Sequence, residues 1–109
     1  MVFTGISNRY RELVADIEHL LTELHSLATD EQQRAVRQVE KGFEHLEPER
    51  EDVGVIPQNR LEKVLTPILM KAHTSLDRGR VLFEEAGAEP AGKKVWAVEQ
   101  KIYRLLNDL

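Results

Sequence analysis

Cysteine is absent from the chain, which excludes disulfide frameworks, thiolate zinc sites and cysteine nucleophiles together. Aromatic residues are scarce, with one tryptophan, two tyrosines and three phenylalanines, so any core must be mainly aliphatic. No uninterrupted apolar run approaches the ~20 residues of a membrane-spanning helix. The opening MVFTGISNRY has no basic stretch followed by an apolar one, so no secretory leader is expected and a cytoplasmic location is. There is no glycine-rich phosphate loop, and Ser7, Ser26 and Ser75 lack a Gly-x-Ser-x-Gly setting. Glu-x-x-His, the signature of carboxylate-bridged metal pairs in helical bundles, does not occur. The only adjacent basic pair is Lys93-Lys94, too little to engage a phosphate backbone. Neither nucleic acid, membrane nor cofactor is therefore expected as a partner.

What is present is charge with a definite placement. The 109 residues contain nineteen acids and fifteen bases. Residues 44–52, EHLEPERED, hold Glu44, Glu47, Glu49, Glu51 and Asp52 against Arg50 alone. Without this stretch fourteen of each sign remain, so the whole excess negative charge sits at one place. The length fits one domain, 1–109.

Apolar spacing then defines helices. Phe3, Ile6, Tyr10, Leu13, Ile17, Leu20, Leu24 and Leu27 alternate by three and four, a heptad seam widened by Val14, Leu21 and Ala28. Continuing the phase would put Glu31, Arg34, Gln38 and Lys41 on the seam, so the first helix ends near Ala28. Thr29-x-x-Gln32 reads as a capping box for the second. That helix carries Ala35, Val36, Val39, Phe43 and Leu46 and ends at Pro48. A connection over 48–57 follows, in which Val53, Val55 and Ile56 are expected to lie across the bundle end. Asn59-x-x-Glu62 is a cap pair for the third helix. Its face, from Leu61 to Phe83, keeps phase across Pro67, which predicts one helix kinked there. Gly79 marks close packing or a weak point. Residues 84–94 read as a turn. The fourth helix has a seam at Ala91, Val95, Val98, Ile102, Leu105 and Leu109. The expectation is an all-α, antiparallel up-down four-helix bundle, helix 3 kinked near Pro67.

Three surfaces could carry function. On the first helix Glu12, Asp16, His19 and Glu23 form a stripe beside the seam, where three carboxylates and an imidazole could hold a divalent ion. The favoured expectation is a solvated flank paired with bases of a neighbouring helix. His73, four residues before Asp77, is expected to pair along its own helix. The acidic 44–52 end could attract a basic partner, as an immunity- or antitoxin-like inhibitor would; the favoured expectation is neutralisation by Arg9, Arg11, Arg60, Lys63 and Arg104. On the fourth helix Trp96 and Tyr103 lie off the seam, joined to it by Leu106. Such residues either pack at the bundle margin or form an interface. The leading expectation is a non-enzymatic protein-interaction module, self-associating through this helix as a homodimer. A metal-dependent enzyme on the helix 1 stripe is the remaining alternative.

Overall fold

The computed structural model describes residues 4–109; Phe3, the first expected seam residue, lies outside them. Four helices make up the domain: α1 (Thr4–Leu27), α2 (Gln33–Leu46), α3 (Leu61–Glu85) and α4 (Glu89–Asn107). There is no strand among the described residues. The molecule measures 43 × 21 × 18 Å. The long dimension is close to the ~38 Å of a 25-residue helix at 1.5 Å per residue, so the helices lie side by side. No helix among the described residues is long and apolar enough to cross a membrane.

Cross-helix contacts define the directions. Along the α1–α4 seam Arg9 meets Asp108, Asp16 meets Lys101 and Glu23 meets Lys94. Numbers rise on one helix as they fall on the other, so the two run antiparallel. Gly42 of α2 faces Leu76 and Ala72 of α3, and Gly79 of α3 faces Ala35 and Val39 of α2. That pair is antiparallel as well. The core is built from the expected seams: Tyr10, Ile17, Leu20, Leu24, Val36, Val39, Leu46, Leu65, Leu69, Leu76, Phe83, Val95, Ile102 and Leu105 are all buried. Leu27 departs from its seam assignment. It is the last residue of α1 and is largely exposed.

Helix ends follow local chemistry. The Thr29 capping box forms, with Gln32 Oε1 accepting the Thr29 N–H at 3.4 Å, and a 3-10 turn over Asp30–Gln32 leads into α2. The Asn59–Glu62 cap pair does not form. Pro57 opens a 3-10 turn over Gln58–Arg60, Asn59 falls inside that turn, and α3 starts at Leu61. α3 then continues unbroken through Pro67 instead of starting afresh at Thr66. The turn expected over 84–94 shrinks to 86–88, since Pro90 stands in the first turn of α4, where its missing N–H has no partner to lose. Gly87 adopts φ 78°. Its N–H donates to the Glu84 carbonyl at 3.0 Å, and the Ala88 N–H donates to the Phe83 carbonyl at 2.8 Å. These two bonds close the end of α3 as a Schellman motif. In the 47–60 connection Val53 is buried and Ile56 half-buried, but Val55 faces solvent, against expectation. Val53–Val55 is a 3-10 turn, and its tight winding turns only the first of the two valines inward.

Gly79 marks close packing. A methyl added there would meet the Ala35 carbonyl oxygen and Val39 Cγ2, each at 3.1 Å. Gly79→Ala gains about 1 kcal/mol of helix propensity but overpacks a seam whose nearest atom is backbone, at a typical cost of about 1–3 kcal/mol. A net loss of about 1 kcal/mol is expected in urea denaturation. A net gain would mean that α2 retreats freely from α3.

Candidate functional site

The α1 stripe is engaged in pairing with α4. Asp16 Oδ2 accepts from Lys101 Nζ at 2.5 Å, and Glu23 accepts from Lys94 at 3.0 Å. Glu12 and His19 are exposed. The stripe is thus not gathered around a common point, and no group of three His, Asp or Glu side chains among the described residues is placed to hold a metal ion. His25, on the adjacent face, reaches Glu40 of α2 at 3.1 Å. The cleft between α1 and α4 here is about 220 Å³, lined by Arg9, Glu12, Asp16, Lys101 and Arg104 among others. It is smaller and more charged than the apolar cavities of roughly 300–1,000 Å³ that take small molecules.

At the acidic end Glu44 pairs with Arg37 at 2.9 Å, and Arg50 with Glu18 at 3.1 Å. Arg50 also lies over the Phe43 ring, 5.9 Å from its centroid. Of the bases expected to neutralise the stretch, Arg11 reaches it, but through backbone: its Nε donates to the Arg50 carbonyl at 3.1 Å. Arg9 instead pairs with Asp108 at 2.7 Å. Among the described residues no cation stands within ion-pair distance of Glu47, Glu49, Glu51 or Asp52.

On α4 the seam residues Val95, Val98, Ile102 and Leu105 are buried, whereas Trp96 and Tyr103 are 52% and 55% exposed. Leu106 is half-buried and packs against the core. Trp96 and Tyr103 thus each keep about half of their surface open to solvent. The α3–α4 register adds a neighbour. His73 of α3 faces Glu99 of α4, with Nε2 3.6 Å from Oε1. One turn before His73 is Met70, and one turn after Glu99 is Tyr103, so the exposed Met70 comes level with Tyr103 on the antiparallel helix.

Beneath this strip lies a polar cluster. Glu99 is 2% exposed. Arg80 Nε approaches its Oε2 at 3.5 Å, yet that oxygen has no hydrogen-bond partner. The Arg80 guanidinium is already bonded to Asp77 Oδ1 at 2.8 and 3.0 Å and to Glu84 Oε2 at 2.7 Å. Burial, a hydrogen bond with Asp77 and the negative charges of Asp77 and Glu84 push the Glu99 carboxyl up to about 8. Burial would raise Asp77 too, but its hydrogen bonds with Arg80 and Glu99 outweigh this and hold it below the usual carboxylate range. The expected His73–Asp77 surface pair is replaced: His73 turns to Glu99, and Asp77 to Arg80. The sequence carried one sign of this. Gly92, Glu99 and Leu106 are seven apart, so Glu99 shares its stripe with the apolar residue that widens the α4 face.

No family model, curated protein or solved structure matches the chain.

Proposed function

We propose that this protein is a non-enzymatic protein-interaction module that self-associates through the outer face of α4. The observation that carries the reading is the exposure of Trp96 and Tyr103 on a helix already anchored by four buried seam residues. Large aromatic side chains dominate the energetics of protein interfaces when they become covered. Their spacing suits a two-fold: an axis passing between Glu99 and Gln100 sets Trp96 of one copy against Tyr103 of the other, in both directions at once. The exposed Met70 stands level with Tyr103 on the neighbouring α3. Light scattering tests this directly. The wild type is expected to be a dimer at micromolar concentration, and Trp96→Ala/Tyr103→Ala a folded monomer. A wild-type monomer at high micromolar concentration would overturn it.

A second reading is supported by the carboxylates of Glu47, Glu49, Glu51 and Asp52, none of which has an ion-pair partner among the described residues. They suit a basic protein partner, with the chain acting as an inhibitor in the manner of immunity proteins or antitoxins. Its mark would be a heterologous complex that dissociates in high salt and is lost when these four acids are replaced by their amides.

A further inference from the structure

The α3–α4 seam holds more acid than it can neutralise. Three carboxyls, Asp77, Glu84 and Glu99, surround one guanidinium, that of Arg80. Arg80 makes its short bonds to Asp77 and Glu84, which are half-exposed or exposed, and only approaches Glu99. Glu99 is the one of the three cut off from water. Fully ionised, the group would place two uncompensated negative charges around a buried oxygen that accepts no hydrogen bond. Asp77 Oδ1 and Glu99 Oε2 both lie against Arg80 Nε, at 3.0 and 3.5 Å, and like charges held so close favour a proton on one of the two carboxyls.

We infer that this seam is a proton-binding site: the Asp77–Glu99 pair carries one proton at neutral pH, and its release loosens α4 from α3. The charged or titratable groups facing Glu99 all come from α3, namely His73, Asp77, Arg80 and Glu84. α1 meets α4 on another side, at Lys94 and Lys101, and α2 packs on α3 through Gly42 and Gly79. Trp96 precedes Glu99 by three residues and Tyr103 follows it by four, which puts both on the same strip of α4. Proton release therefore acts directly beneath the exposed aromatics. The inference stands whether or not that strip is an interface.

The sign of the pH dependence follows from linkage. In the unfolded chain Glu99 loses its proton near the ordinary glutamate value, about 4.3; in the folded protein it keeps it up to about 8. Its stabilising contribution is complete at acid pH and is lost progressively across that interval, by up to tenfold in the folding equilibrium constant per pH unit. Carboxyl-carbon NMR on glutamate-labelled protein is expected to show one glutamate titrating near pH 8. Urea denaturation at a series of pH values should give a wild-type curve that falls relative to Glu99→Gln between about pH 5 and 8. Asp77→Asn should move the high titration downward. If every glutamate carboxyl titrates in the ordinary range, the inference fails. It fails equally if wild type and Glu99→Gln give parallel profiles. Should Glu99→Gln not fold, the wild-type NMR titration alone decides.

Discussion

Tyr10→Ala is expected to destabilise the protein by about 3–5 kcal/mol, the range for removing a fully buried aromatic side chain. Tyr10 has no exposed surface, and its hydroxyl donates to the Leu46 carbonyl at 2.6 Å. Leu46 is the last residue of α2, and helix-end carbonyls have no intrahelical donor. The phenol supplies one from α1, joining two helices at the end of the bundle where the acidic connection begins. Tyr10→Phe separates the two contributions. It keeps the ring and leaves the buried carbonyl unsatisfied, at a cost of about 1–3 kcal/mol. Burial, with Glu49 and Glu47 close by, drives the Tyr10 phenol above its usual range. The phenol ionises first in the unfolded chain, so in wild type this contribution is full below about pH 10 and is lost as pH rises further. Urea denaturation of the three proteins at neutral and alkaline pH checks both statements. A Tyr10→Phe variant as stable as wild type would mean that the Leu46 carbonyl finds water.

Tyr10 also shows what kind of information the sequence held. Its place came from heptad spacing alone, and spacing is a property of one helix. The same reasoning located the ends of α1 and α2, the inward face of α4 and the off-seam position of Trp96 and Tyr103. It failed where the outcome depended on two helices at once. His73 and Asp77 look like a pair because they are four apart, but Arg80, equally close on α3, is the better partner for Asp77, and Glu99 draws His73 across the seam. Nothing in the α4 pattern alone says whether a glutamate at the edge of the seam points to water or to a neighbouring guanidinium. The α1 stripe is the converse case: pairing with bases of a neighbouring helix was readable as a type of contact, though not that Lys94 and Lys101 would supply it. Val55 and Asn59 failed for a more local reason, because short 3-10 turns rotate successive side chains by a different angle from an α-helix.

Arg80→Met is the sharpest test of how the buried polar seam is held together. The substitution keeps an apolar stem of similar reach and removes the one positive charge among Asp77, Glu84 and Glu99. Breaking a fully buried ion pair from one side costs about 3–5 kcal/mol. Arg80 is 24% exposed and two of its three partners are wetter still, so a loss of about 2–3 kcal/mol is the expected size. The loss should depend on pH in a definite direction. Arg80 holds Asp77 below its ordinary range, so wild type gains from that contact above the unfolded carboxylate value and loses it as acid protonates Asp77 in the folded state. Wild type and Arg80→Met should therefore converge at low pH and separate towards neutrality. Glu99 responds oppositely: without the guanidinium it should hold its proton to still higher pH, since Arg80 is the charge that favours its ionised form. A destabilisation that is the same at acid and neutral pH would mean that Arg80 matters only through its packed stem, and that the three carboxyls relieve one another by reaching solvent.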